Sequence, residues 1–241
     1  MPETKSEKIA DIYIVGTDTG VGKTVLSLLL MQFFEARSYR PFYLKPLQTG
    51  CQDAYDQDSD AAFVYRHVTS LINQDPADSV IYCFRNPKAP FFAARDEGQE
   101  IDLRRIDEIV AGKRHRHNPL ILEAAGGLLV PVTEETLMVD IIKTSGARVL
   151  LAARAGLGTI NHTLLSVEAL RARDVEPAGI VFLDAVGTRE DMIAENMEAV
   201  QRYSGIAVAG VIGKVHDFNH PSEECFSILK FLLQTKGISF T

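Results

Sequence analysis

The chain has 241 residues, 46% of them hydrophobic and 24% charged, with a formal net charge of −7. That is the balance of a soluble globular protein, and the negative charge speaks against a broad nucleic-acid surface. No run reaches the roughly 18 apolar residues of a membrane span. The polar start from Met1 to Lys8 carries no apolar signal core.

The first apolar run, Ile9–Val15, leads into G-T-D-T-G-V-G-K-T from Gly16 to Thr24 and then into a helical pattern over Thr24–Arg37. A buried strand, a glycine loop and a helix in that order form a phosphate cradle. The glycines let the backbone wrap close to the anion, and the helix start aims free N–H groups at it. The strict pattern is G-x-x-x-x-G-K-[ST]. Here Thr17 stands five before Gly22 and the outer glycine, Gly16, is one residue further back. A chance G-K-T is the alternative, and the strand–loop–helix context argues against it. Lys23 is expected on the β- and γ-phosphates of a nucleoside triphosphate, and the Thr24 hydroxyl on Mg²⁺. Thr17, Asp18 and Thr19 form the loop crest. A carboxylate beside phosphate is repelled, so Asp18 must either accept from a backbone N–H or face a cation.

The second strand is expected over Phe42–Leu44, with Lys45-Pro46-Leu47-Gln48-Thr49-Gly50 forming a binding loop at its end. Ligands of open α/β sheets bind outside the carboxyl ends of strands, which puts Lys45 on the same rim as Lys23. Asp53, Asp56, Asp58 and Asp60 follow, before a helix over Asp60–Ser70. Taken alone they read as a solvated loop rather than a Mg²⁺ site, with one of them capping the helix. Leu71–Gly98, with Pro76, Pro87 and Pro90, reads as loops and short elements on the surface. A helix is expected over Ile101–Gly112, and the basic run Lys113–His117 as its solvated end.

Leu120–Leu122 is a strand that Glu123 terminates beside the phosphate rim, where a carboxylate can hold Mg²⁺ directly or through water. The alternative is a glutamate that caps a turn. Ala124, Ala125, Gly126 and Gly127 continue it, the glycines permitting a tight turn against a ligand. After a strand over Arg148–Ala152, the segment Gly156-Leu157-Gly158-Thr159-Ile160-Asn161-His162 opens a helix over Asn161–Arg173. Its free N–H groups suit an anionic carboxylate, and His162 reads as structural. Strands over Gly179–Phe182 and Ile206–Ile212 alternate with helices over Arg189–Tyr203 and Ser222–Thr235. Strand alternating with helix predicts one α/β domain over 1–241, a mainly parallel sheet of about seven strands flanked by helices. Cys51, Cys83 and Cys225 form no C-x-x-C pair, so neither a disulfide framework nor a zinc site is expected, and a reducing cytoplasm is the expected compartment.

With these pieces in order the chain resembles the dethiobiotin synthetases, the ATP-dependent carboxylases of biotin synthesis. The resemblance rests on G-T-D-T-G-V-G-K-T with its extra residue, K-P-L-Q-T-G, the Asp60 helix, and A-P-F-F-A-A with Glu97-Gly98. It continues through E-A-A-G-G-L-L-V-P and G-L-G-T-I-N-H, over about residues 9 to 185. It implies a P-loop NTPase-type domain and a homodimer with active sites at the interface. The implied substrates are 7,8-diaminopelargonic acid, CO₂ or bicarbonate, and ATP, with no nucleic-acid or membrane partner. By the same resemblance, Lys45 and Lys23 are the catalytic residues, and Thr24, Asp60 and Glu123 hold Mg²⁺. ATP is held by Gly20, Val21, Gly22, Lys23, Thr24, Val25, Asp60, Glu123, Ala124, Ala125, Gly126 and Asp184. Substrate is held by Thr17, Lys45 and Thr49, with Leu157, Gly158 and Asn161 supplied by the partner subunit. Three positions depart from the family pattern. Ala124 stands in the usual G-A-G-G turn, Leu183 replaces an asparagine that reads adenine, and Gly213 replaces a proline. The first expectation is crowding of a ligand by the Ala124 methyl; the second is looser base selectivity. Other P-loop readings are a partitioning or septum-site ATPase and an amide ligase of cobalamin synthesis. The ligases usually carry an appended glutaminase domain for which this length leaves no room, and the ATPases usually carry a second lysine early in the loop.

Overall fold

The computed structural model describes residues 8–234. Seven parallel strands form one sheet: β1 (Ile12–Gly16), β2 (Phe42–Thr49), β3 (Val80–Phe84), β4 (Leu120–Glu123), β5 (Arg148–Arg154), β6 (Gly179–Leu183) and β7 (Val208–Ile212). Their order is β3-β2-β4-β1-β5-β6-β7. β1 and β4 are buried along their whole length, and β5 is buried at its five central residues. Strands covered on both faces read as continuous apolar runs, and these do.

Eight helices lie among the described residues: α1 (Lys23–Glu35), α2 (Asp60–His67), α3 (Pro90–Asp96), α4 (Leu103–Arg114), α5 (Met138–Ser145), α6 (Thr159–Arg171), α7 (Glu190–Ser204) and α8 (Glu223–Gln234). α1 is the central one: Leu26, Leu28, Leu29, Leu30, Met31, Phe33 and Phe34 are all fully buried. No helix among the described residues is long and apolar enough to cross a membrane. The polar start up to residue 7 and the expected last residue of α8, Thr235, lie outside the described residues.

Three expectations need correcting. The second strand does not stop at Leu44 but runs to Thr49, so Lys45 stands inside β2 rather than in a loop. Pro46 is tolerated because the β2–β4 register ends at Leu44↔Leu122; beyond it β2 pairs only with β3, and a proline can face the unpaired side. Within Leu71–Gly98 the expected short elements include an edge strand, β3, and a proline-started helix, α3, but they do not all lie on the surface: Phe84 and Ala93 are fully buried. The helix cap before Asp60 is Ser59, whose hydroxyl accepts from Ala62 N at 3.3 Å, and not one of the aspartates.

Candidate active site at the carboxyl edge of the sheet

α1 starts without a side-chain cap. Gly22 occupies its N-cap position at φ 96°, left-handed backbone that glycine adopts at little cost. The first N–H groups of the helix are therefore left for a ligand. A Cβ on Gly22 would also stand 2.6 Å from Leu183 Cδ2, so the loop and the end of β6 are fitted to each other through this glycine.

A cavity of about 600 Å³ opens in front of the loop. Gly20, Gly22, Lys23, Thr24 and Val25 line it from the loop and α1, and Lys45 and Thr49 from β2. Asp60, Glu123, Ala125 and Gly126 line it as well, and Pro87–Pro90 form part of its wall. At its floor, residues 99 positions apart meet: Thr24 Oγ1 lies 2.9 Å from Glu123 Oε1 and 2.7 Å from Asp60 Oδ1. Lys45 Nζ donates to Glu123 Oε1 at 2.8 Å and is ion-paired with Asp60. Burial disfavours the Lys45 ammonium, but the two carboxylates outweigh it and raise its pKa above the ordinary value. Burial likewise opposes the charge on Asp60; Lys45 and the Thr24 hydroxyl more than offset that and hold its carboxyl below the usual range.

Lys23 is treated differently. Burial, and then the neighbouring Lys45, push its pKa down to about 8. Its Nζ folds back onto Asp18 O at 2.9 Å. Asp18 does both things its position demanded, since its carboxylate accepts from Thr19 N at 2.7 Å and faces Arg154 Nη2 at 3.2 Å. The other aspartates of the acidic cluster stay on the loop: Asp53 and Asp56 accept backbone N–H groups of their own turn.

Motif reading missed three neighbours. Glu123 Oε2 accepts from Ser27 Oγ at 2.8 Å and from Tyr43 Oη at 3.0 Å. Both could have been suspected as the inward positions of α1 and β2. The third is Gln48, expected within the binding loop but given no role, which lines the cavity with a buried Oε1 that has no hydrogen-bond partner among the described residues. An unpartnered buried acceptor in the wall of such a cavity is available to a donor on a ligand.

A second cavity, about 610 Å³, lies on the other side of the P-loop, and Val21, Leu157 and Asp184 face it rather than the first. Its walls include Val25, Leu183, Val186, Val215 and Phe218. The Asp184 carboxylate is committed to its own loop, accepting from Thr188 N at 2.7 Å and Thr188 Oγ1 at 3.0 Å. Thr17, Ala124, Gly158 and Asn161 line neither cavity. Ala124 is buried and donates its N–H to Ile14 O at 3.0 Å, so its methyl does not crowd the cavity as expected. Gly158 caps α6 at φ 90° with no side-chain cap, and Asn161 and His162 are exposed on the first turn beyond it.

Among the described residues no group of three or more His, Cys, Asp or Glu is placed to hold a metal ion. The floor offers instead two carboxylates and one hydroxyl. Mg²⁺ takes few protein oxygens and completes its shell with water and substrate phosphates, so this donor set fits it.

The family described as "AAA domain" matches residues 10–222. An ATP-dependent dethiobiotin synthetase of Anaeromyxobacter sp. (strain Fw109-5) is 37% identical over 207 residues, covering 86% of this chain and 91% of that protein. One from Lysinibacillus sphaericus is 36% identical over 197 residues, covering 79% and 82%. Among solved structures, the MinD cell division protein of Aquifex aeolicus superposes with a TM-score of 0.60 at 12% identity, covering 97% of this chain and 99% of that one. A putative plasmid partition protein of Borrelia burgdorferi bound to AMPPNP gives 0.60 at 13%, covering 94% and 99%. At such identities these two share the fold alone, a P-loop NTPase sheet. The level of identity and the coverage of the curated relatives decide the rest: the chain belongs to the dethiobiotin synthetase family.

Proposed function

We propose that the protein carboxylates 7,8-diaminopelargonic acid with CO₂ and closes the ring to dethiobiotin at the expense of ATP. The observation that carries this reading is the meeting of Thr24, Lys45, Asp60 and Glu123 at the floor of a cavity that opens in front of the P-loop. One amine takes up CO₂ to form a carbamate, whose anionic carboxylate is a poor electrophile. A carbamate oxygen attacks the γ-phosphorus of ATP and ADP departs, leaving a carbamic–phosphoric mixed anhydride. The second amine then attacks the carbonyl carbon, and phosphate leaves as the cyclic urea forms. Positioning and charge neutralisation suffice, and no covalent protein nucleophile is required.

Lys23 holds the β- and γ-phosphates, and the N–H groups of Gly20 to Val25 hold the triphosphate. Thr24, Asp60 and Glu123 hold Mg²⁺, which when bound offsets phosphate charge. Lys45 then faces the carbamate and the γ-phosphate, while Thr49 and the loop at Thr17 hold the diamine. Leu157, Gly158 and Asn161 receive the substrate's carboxylate tail from the partner of a homodimer. Leu157 is 94% exposed and Leu165 59%, which supports a second copy covering that face. The expected compartment remains the cytoplasm. The decisive assay mixes the protein with diaminopelargonate, bicarbonate, Mg²⁺ and ATP and detects the cyclic urea; its absence removes the proposal.

Lys23→Ala is expected to weaken ATP binding by roughly 10- to 100-fold, as the loss of a charged phosphate contact does. Calorimetric titration measures it, and unchanged affinity would count against the phosphate cradle.

Base selectivity is expected to be loose. In the second cavity Leu183 can neither donate nor accept through its side chain, and the Asp184 carboxylate is occupied by Thr188. Turnover with ATP, CTP and GTP should fall within roughly tenfold, since a site that makes few polar contacts rejects poorly. Leu183→Asn should widen that gap in favour of ATP. A strong ATP preference in the unaltered protein would rule the idea out.

A further inference from the structure

Cys51 and Cys83 are separated by 32 positions, yet their sulfurs lie 3.1 Å apart. The parallel register pairs Gln48 with Cys83 and Thr49 with Phe84, so a straight continuation would carry residue 51 well past Cys83. The turn prevents this. Gly50 donates its N–H to Phe84 O at 2.9 Å and takes φ 84°, left-handed backbone that folds the chain back. Cys51 is thereby returned to the edge strand, with Cys83 Sγ 3.7 Å from its carbonyl oxygen. Both cysteines are free; Cys51 is buried and Cys83 half-buried. Neither belongs to the phosphate cradle or to the floor of the cavity. Thr49, two residues before Cys51, lines that cavity.

We propose that Cys51 and Cys83 form a dithiol that a small-molecule disulfide closes to an intramolecular disulfide, a modification site that latches the exit of β2, and with it Thr49, to the edge strand. Cys83 is the attacking sulfur because it is the more accessible of the two. The hydrogen bond from Cys51 favours its thiolate, and outweighs burial and the nearby Asp53, Glu97 and Asp56 carboxylates that oppose it. Its thiolate attacks one sulfur of the small disulfide and expels the other half as a thiolate, leaving a mixed disulfide on Cys83. Cys51 then gives up its proton and attacks Cys83 Sγ, expelling the second half. Two protein thiols are oxidised and one small disulfide is reduced to two thiols. Closing the bond draws the sulfurs about 1 Å nearer, to the ~2.05 Å of a disulfide, and that movement is taken up by Gly50 and Cys51.

The test incubates the whole protein with oxidised glutathione. The expected result is the loss of two hydrogen masses, a peptide linking Cys51 to Cys83, and retention of the Cys225 thiol. KM for the diamine should rise by about threefold or more with kcat little changed, and dithiothreitol should reverse it. The Cys83→Ser protein should show neither effect. A glutathione adduct alone, three unchanged thiols, or a mapped disulfide with an unchanged KM overturns the proposal. The KM reading rests on Thr49 contacting the diamine, as proposed above. The mass reading does not, so a failure of the dithiol and a failure of the proposed activity are told apart.

Discussion

Lys45→Ala is expected to bind ATP and fail to make dethiobiotin. Lys45 is 5% exposed and its ammonium is ion-paired with both Asp60 and Glu123; in the proposed reaction it offsets the negative charge of the transfer. Loss of one pre-positioned charge donor costs about 10²–10³ in turnover, and more where the same group also faces the acceptor. Nucleotide affinity in Mg²⁺ should stay within roughly fivefold, because Lys23 and the loop N–H groups are untouched. Stability moves as well. Without the ammonium two carboxylates face each other in a buried site, a loss on the order of 3–5 kcal/mol for breaking such a pair. Mg²⁺ is expected to restore more of this in the variant than it adds to the unaltered protein, since the dication then meets two uncompensated charges. Thermal unfolding with and without Mg²⁺ measures that difference, and product assays measure turnover. Near-normal dethiobiotin formation would remove Lys45 from its assigned role.

The residues that the sequence marks are those whose chemistry needs a local pattern. The P-loop is contiguous, so strand, glycines and helix start could be read together, and Glu123 stood at the end of an apolar run. Asp60 was different. Four aspartates within eight residues looked alike, and only the packing of α2 against α1 turns one of them to Thr24 while Asp53 and Asp56 bond their own turn. Partners joined across the sheet left only their inward positions on α1 and β2 as a trace: Ser27 and Tyr43 reach Glu123 over 96 and 80 positions. The contact of Cys51 with Cys83 likewise depends on the register of β2 and β3 and on one left-handed glycine. The same holds for the fold. Central strands announce themselves because both faces are covered. β3 does not, because three of its five residues are only half-buried and prolines lie on either side. α5, at eight residues, is too short for its periodicity to stand out from the loop before it.

Glu123 gives the second large effect, and its two substitutions separate a metal-holding carboxylate from a turn cap. Its side chain is fully buried and lies within hydrogen-bond distance of four groups: Thr24 Oγ1 and Lys45 Nζ at Oε1, Ser27 Oγ and Tyr43 Oη at Oε2. Glu123→Ala takes the carboxylate from Tyr43 Oη and leaves Lys45 with Asp60 alone, while Thr24 keeps Asp60 and Ser27 keeps Lys23 O, so a loss of about 3–5 kcal/mol is expected. Glu123→Gln keeps the shape. Its NH₂ cannot face the ammonium, which only donates, but it can face Ser27 and Tyr43, whose hydroxyls turn to accept. The glutamine protein should therefore fold with a loss of roughly 1–3 kcal/mol. Its charge is gone nonetheless. Turnover should fall by about 10²–10³-fold, with a higher Mg²⁺ concentration needed for half-maximal rate, because the cation loses a carboxylate ligand. A structural glutamate predicts another ordering: activity would follow stability, and the well-folded glutamine protein would work at ordinary Mg²⁺. Measuring melting temperature and the Mg²⁺ dependence of product formation on both variants decides between them. A glutamine variant of near-normal rate and Mg²⁺ requirement would leave Glu123 as a buried hub of hydrogen bonds and nothing more.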